Sequence, residues 1–175
     1  MTIDISNILG EEKGVVSNFK GEVSYKDTVY QGDKISFSNP IAVNGNLSKG
    51  RDCLYIMINI RGNITIPCSR CAGEFSHEID LSFTEEFKDI DDVVGEEELD
   101  VYTYQGTKIK LDRIIFEQIL LNMPIKRLCK IDCMGLCPKC GIDLNEQKCN
   151  CDRDDDIDIR LLELKKLLPS KDREV

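Results

Sequence analysis

The chain has 175 residues, 41% of them hydrophobic and 31% charged, which is enough apolar material for a packed core and excludes an intrinsically disordered chain. Its formal net charge of -9 excludes a surface that attracts nucleic acid over its whole area, so RNA could be bound only through a local basic patch. We see no signal peptide and no apolar stretch long enough to span a membrane, and we therefore expect a soluble, cytoplasmic protein with no membrane partner.

The first two-thirds of the chain has the alternating pattern of β-strands. The clearest strand, over residues 54–61, has an apolar side chain at every second position, and a bend is expected at Gly62-Asn63. A second clear strand covers residues 78–83. Weaker strands are predicted over residues 21–30, 33–37, 41–47 and 101–110. Together these elements predict an antiparallel sheet or a partly open barrel.

Helical signals follow the strands. Asp112 is predicted to cap a helix that Pro124 ends, and a second helix is predicted over residues 157–168, where leucines recur at helical spacing. The acidic run 89–100 is interpreted as a solvated loop. We therefore predict an α+β protein with a β-rich body at 1–110. Residues 111–175 would supply a helix, a cysteine-rich zinc knuckle module and a C-terminal helix, packed on the body.

Nine clustered cysteines carry the chemistry of the chain. In a reducing compartment such a cluster is more often a metal site than a set of disulfides, and an odd number fits disulfide pairing poorly. The most specific motif is Cys137-Pro138-Lys139-Cys140-Gly141, a turn that can grip one metal ion with two thiolates. Cys149-Asn150-Cys151 supplies a second pair. The first choice of zinc site is therefore Cys137, Cys140, Cys149 and Cys151.

Four further cysteines form a possible second site, made of Cys68, Cys71, Cys129 and Cys133. The pairs could also be exchanged, for instance Cys68 and Cys71 with Cys137 and Cys140, and the spacing does not decide this. One occupied site is favoured slightly over two. Cys53 is interpreted as a buried structural thiol.

Other chemistries fit the sequence less well. A dithiol redox centre usually places its first cysteine at a helix N-terminus within a βαβ unit, and neither Cys-x2-Cys pair is in that setting. An iron–sulfur cluster also uses four thiolates, but the tight knuckle followed by glycine favours zinc. The single histidine, His77, has no visible nucleophile partner, and a four-thiolate site leaves no open position for catalysis. We expect neither an enzyme nor a small-molecule substrate.

The C-terminal motifs resemble a known bacterial family. These are the run 121–126 (Leu-Asn-Met-Pro-Ile-Lys), the string 128–145 that contains Cys129, Cys133, Cys137 and Cys140, and the final Cys149-x-Cys151. Together with Cys68-x2-Cys71 after a strand, they are similar to the YceD family, also called the large ribosomal RNA subunit accumulation protein family. The resemblance covers roughly residues 64–168. Where members commonly have Asp-Pro-Arg, this chain has Asp158-Ile159-Arg160.

The resemblance implies a role in the accumulation of large-subunit ribosomal RNA and hence in ribosome biogenesis. Some members lack the C-terminal cysteines, which implies that zinc is structural. Two hypotheses follow for the partner. The protein could contact ribosomal RNA through a local basic patch of Lys126, Arg127, Lys130 and Lys139. Alternatively, it could be a zinc-stabilised adaptor that binds a ribosome-assembly protein without touching RNA.

Overall fold

The computed structural model describes residues 1–11, 14–92 and 102–151. The chain divides into two compact units, residues 1–134 and 135–175. Every described helix and strand lies in the first unit. The predicted helix at 157–168 and most of the acidic run at 89–100 lie outside the described residues. The boundary proposed after residue 110 and the packing of the C-terminal part on the β-rich body stay predictions.

The first unit is mostly sheet with two helices. Its strands are β1 (Thr2–Asp4), β2 (Val16–Val23), β3 (Thr28–Tyr30), β4 (Asp33–Ile35), β5 (Ile41–Lys49), β6 (Leu54–Pro67), β7 (Glu74–Asp89), β8 (Tyr102–Tyr104) and β9 (Lys108–Lys110). The helices are α1 (Ser6–Leu9) and α2 (Asp112–Leu121), and a 3-10 turn covers Ile90–Asp92.

Five strands form the main sheet in the order β2-β5-β6-β7-β8. The first four are antiparallel, as predicted, whereas β8 runs parallel to the end of β7, which the sequence pattern did not indicate. Two small antiparallel pairs, β1-β9 and β3-β4, complete the set. The prediction of an α+β protein built on a sheet therefore agrees with the described part of the chain.

The hairpin of β6 and β7 dominates this sheet. Residues 54–67 pair continuously with residues 74–87, and Ile56, Ile58 and Ile60 are fully buried on one face of β6. The predicted bend at Gly62 is wrong, because β6 runs straight through it. A Cβ at Gly62 would lie 2.5 Å from Cδ1 of Ile41. The glycine therefore allows close packing between β5 and β6 and does not mark a turn.

Helix α2 buries Ile114, Ile115 and Ile119 against the core and ends at Leu121, shortly before Pro124 as predicted. The predicted cap is wrong: Leu111 precedes the first turn, and Asp112 is the first helical residue. The Asp112 carboxylate instead binds the N-terminal ammonium group. Among the described residues, no helix combines the length and the apolar composition needed to cross a membrane.

Candidate metal centres

The first pair of thiols, Cys68 and Cys71, lies at the tip of the β6–β7 hairpin. The backbone N–H of Cys68 donates to the carbonyl of Gly73 at 2.9 Å, and the N–H of Ala72 donates back to the carbonyl of Cys68 at 2.9 Å. These two bonds close a tight turn around Cys68 and Cys71. The turn requires a left-handed residue after its second cysteine, and Ala72 takes that conformation with φ 58°.

The segment after α2, residues 122–133, brings a second pair of thiols, Cys129 and Cys133, to this turn. The backbone N–H of Ser69 donates to the carbonyl of Arg127 at 2.7 Å, and the Arg127 guanidinium pairs with Asp33 of β4 at 2.6 Å. Arg70 donates from Nη1 to the carbonyl of Cys133 at 2.7 Å. The hairpin tip and the segment are therefore joined by bonds that do not involve sulfur.

These contacts assemble four sulfur atoms in the first unit, which we call the first thiol set: Cys68, Cys71, Cys129 and Cys133. The Sγ atoms of Cys68 and Cys133 are 3.8 Å apart, as are those of Cys71 and Cys129. Cys68 and Cys133 are buried, whereas Cys129 is exposed.

The second unit contains a turn with the same bonding. The N–H of Cys137 donates to the carbonyl of Ile142 at 2.8 Å, and the N–H of Gly141 donates to the carbonyl of Cys137 at 2.9 Å. Gly141, with φ 73°, is here the left-handed residue after the second cysteine. Two sequences that share little beyond Cys-x2-Cys therefore form the same knuckle.

Asp143 shapes the loop that returns the chain to this second knuckle. Its carboxylate Oδ1 accepts bonds from the backbone N–H and the side-chain amide of Asn145, at 2.8 and 2.6 Å, and the N–H of Leu144 donates to Gly135 at 2.9 Å. The loop leads to the second thiol set, made of Cys137, Cys140, Cys149 and Cys151. The Sγ atoms of Cys137 and Cys149 are 3.4 Å apart.

Both thiol sets have the dimensions of a site for one tetrahedral metal ion. With metal–sulfur bonds of the length found for zinc, the edges of a tetrahedral four-thiolate site measure about 3.8 Å. The four sulfur atoms of each set lie within 4.8 Å of one another. This spacing accommodates a single ion, and it leaves no room for the bridging sulfides of an iron–sulfur cluster. Each set could therefore hold one metal ion.

The backbone of each knuckle favours the thiolate form of its first cysteine. Burial opposes ionisation of Cys68, but backbone N–H groups, including that of Cys71, outweigh it and lower the Cys68 pKa to about 6. In the second set, bonds from backbone N–H groups of the knuckle lower the pKa of Cys137 to about 6, and the bond from Cys140 has the largest effect. Although Cys129 is exposed as a residue, partial desolvation of its sulfur and then the neighbouring thiols of Cys133 and Cys71 raise its pKa to about 12. In each set the first cysteine of the knuckle is thus favoured in the deprotonated form that binds a metal ion.

The two thiol sets have the grouping chosen first from the sequence, and not the exchanged one. Cys53 differs from its prediction, because it is half-buried just before β6. Of the predicted basic patch, Lys126, Lys130 and Lys139 are exposed. Arg127 keeps only 13% of its side chain exposed and is bound to Asp33, so its role in this structure is to hold the first site in place.

Sequence reasoning missed three residues that shape the sites. Arg70 and Asp33 hold the segment that carries Cys129 and Cys133, but neither is near that segment in the sequence. Asp143, followed two residues later by Asn145, has the spacing of an Asx turn, a local signal that could have been read.

Comparison with known proteins gives a family match that contains both thiol sets. A sequence profile described as "Large ribosomal RNA subunit accumulation protein YceD" matches residues 56–168. An uncharacterized protein of Mycobacterium tuberculosis is 30% identical over 115 residues, which cover 62% of this chain and 55% of that protein. The chain thus spans about half the length of this relative. No solved structure gives a significant match.

Two further relatives extend the comparison. The Bacillus subtilis protein YlbN is 28% identical over 140 residues, covering 77% of each chain. An Arabidopsis thaliana protein named large ribosomal RNA subunit accumulation protein YCED homolog 1, chloroplastic, is 28% identical over 145 residues, covering 66% of this chain and 45% of that one.

Proposed function

We propose that this chain, which belongs to the YceD family of large ribosomal RNA subunit accumulation proteins, is a non-enzymatic, cytoplasmic zinc protein that supports ribosome biogenesis. The observation that carries the proposal is the family match over residues 56–168, which includes every cysteine of the two thiol sets. The name of the Arabidopsis relative links that protein to accumulation of the large ribosomal RNA. We extend this role to the present chain.

Two bound zinc ions are part of the proposal. The two sets have the same donor chemistry, and the knuckles have the same backbone bonds, so nothing distinguishes one as a metal site and the other as a group of free thiols. Four thiolates around one divalent ion carry a net charge of about -2, which Arg70 can offset at the first site. A closed four-thiolate shell supports a structural metal and no catalysis.

The test is the ratio of large-subunit to small-subunit ribosomal RNA in cells from which the gene has been removed. We expect this ratio to fall and to be restored by the wild-type chain. An unchanged ratio in deleted cells, at several growth temperatures, would contradict the proposed role.

A second candidate is an adaptor that binds a ribosome-assembly protein and does not contact RNA. The net charge of -9 favours it, and the burial of Arg127 reduces the predicted basic patch. Titration of the purified protein with large-subunit RNA fragments at several salt concentrations separates the two. Binding that weakens steeply with salt supports direct RNA contact, whereas no binding at low salt supports the adaptor.

A further inference from the structure

The outer edge of β7 is long and, among the described residues, largely unpaired. β7 has 16 residues, and β6 pairs with it along its inner side. On its outer side β8 pairs only with Phe87–Asp89. Along the rest of this edge, within the described part of the chain, no strand accepts or donates the outward backbone bonds. Such an edge is a template for an added strand.

The two faces of this edge have different chemistry. On the face toward the core, Phe75, Leu81 and Phe83 are only half-buried, although they pack against the core. On the opposite face, exposed side chains alternate with them, and the charged ones are all acidic: Glu74, Glu78 and Asp80. Of these, Asp80 has a cationic partner in the adjacent strand, Arg61, at 3.2 Å.

The edge lacks the usual devices that protect a sheet from unwanted pairing. Exposed edges are commonly short, bulged, or interrupted by proline or lysine. Over residues 74–87, β7 has an unbroken register with β6 and contains neither proline nor lysine. Its acidic row does discourage pairing with a second copy of the same edge, because like charges would then face each other. The same row disfavours RNA.

We propose that the outer edge of β7, from Glu74 to Thr84, binds a cationic extended peptide as an added strand. Main-chain bonds to β7 fix the peptide, and its alternate side chains fall on the two faces of the sheet. Lysine or arginine on one face meets Glu74 and Glu78. Apolar residues on the other face cover Phe75, Leu81 and Phe83. The partner is therefore a protein segment that alternates basic and apolar residues.

This inference goes beyond the proposed function, since peptide capture can be measured whether or not the protein affects ribosomal RNA. The probe is a fluorescent ten-residue peptide of alternating lysine and isoleucine, titrated into the full-length, metal-loaded protein. Two control peptides keep its side chains and charge: one has lysines and isoleucines in separate blocks, and one has alternate backbone amides N-methylated. We expect binding of the alternating peptide only.

The protein variants test the location of binding. The double substitution Glu74→Lys/Glu78→Lys is expected to weaken binding about tenfold or more, because two attractive contacts become repulsive. The control Glu11→Lys/Glu22→Lys makes the same change in net charge on exposed residues away from β7 and is expected to leave binding within about twofold.

Hydrogen exchange of the backbone supplies a readout that does not depend on variants. In the free protein, alternate amides of residues 74–84 should exchange rapidly, and the alternating peptide should slow them. The proposal is overturned if these amides are already protected in the free protein, which would show that another part of the chain covers the edge. Equal binding of the N-methylated peptide, or protection of β2 instead of β7, would also overturn it.

Discussion

Ala72 and Gly141 have the same left-handed backbone conformation, with φ of 58° and 73°, at the position after the second cysteine of each knuckle. In both, the N–H of this residue donates to the carbonyl of the first cysteine at 2.9 Å. Only Ala72 carries a Cβ, which a left-handed residue accommodates at a cost of about 1–2 kcal/mol. The first site therefore forms with local strain that the second lacks.

The substitution Ala72→Gly should strengthen metal binding at the first site. Relief of strain is partly offset by the greater freedom of glycine in the unfolded chain, leaving a net gain of about 0.5–1 kcal/mol. Gly141→Ala should weaken the second site by about 1 kcal/mol. Competition with a chelator measures both effects. Weaker binding by the Ala72→Gly protein would show that the strain argument is wrong.

Metal content should identify two independent sites. Protein purified under reducing conditions is expected to hold two zinc ions per chain, since each thiol set offers four sulfur atoms within 4.8 Å of one another. Cys133→Ser and Cys140→Ser should each remove one ion, and Cys53→Ser should remove none, because Cys53 belongs to neither set. Elemental analysis gives the counts and separates zinc from iron. A Cys140→Ser protein that kept both ions would contradict the second site.

The ion pair between Arg127 and Asp33 should support the first site alone. Arg127→Met keeps the apolar stem and removes the charge, so the segment that carries Cys129 and Cys133 loses its anchor on β4. We expect metal affinity at the first site to fall about tenfold, or about 1.4 kcal/mol, since the arginine is largely buried and the aspartate is not. Chelator competition checks this, with no change expected at the second site.

Arg113→Met is the matched control for that experiment. Arg113 pairs with Glu117 at 2.7 Å, but 85% of its side chain is exposed, and such surface pairs contribute little. Equal effects of the two substitutions on the first site would indicate that net charge matters and the anchor does not.

Gly45 should be among the least tolerant positions of the sheet. A Cβ there would lie 2.1 Å from the carbonyl oxygen of Met57 and 2.6 Å from the ring of Phe19. We expect Gly45→Ala to reduce the free energy of unfolding by about 2 kcal/mol or more. Gly10→Ala, where a Cβ meets nothing within 4 Å, is the control and should change it little. Urea denaturation of the metal-loaded proteins compares the two.

Local patterns predicted the two longest strands well, because burial on one face leaves a period of two in the sequence. The single strands predicted over residues 21–30 and 101–110 are wrong, because each region contains two strands that lie in different sheets, β2 and β3 in the first and β8 and β9 in the second. Alternation over residues 54–61 indicated the strand and its buried face. A glycine within a strand pattern can indicate either a bend or a close packing contact. Gly62 suggests a bend because glycine often marks one, but in the structure it lies where Ile41 packs against the strand, a contact between residues far apart in the sequence.

The thiol sets also show that local patterns do not reveal contacts between residues far apart in the sequence. The second set lies within one short segment, and its grouping was the natural first choice. The first set depends on Arg127 reaching Asp33 and on Arg70 reaching Cys133, contacts that no local pattern reveals. The parallel pairing of β8 with β7 is likewise not indicated by the alternation within either strand.

The spacing of the thiols along the chain also determines how soon each set is complete during synthesis. The second set spans residues 137–151, whereas the first joins residues 68 and 71 to 129 and 133. Closing the longer loop costs about 1.4 kcal/mol more in chain entropy. During synthesis, Cys68 and Cys71 are also made about sixty residues before Cys129 and Cys133, the other two thiols of the first set. We therefore expect a chain synthesised with too little metal to lose the first site before the second.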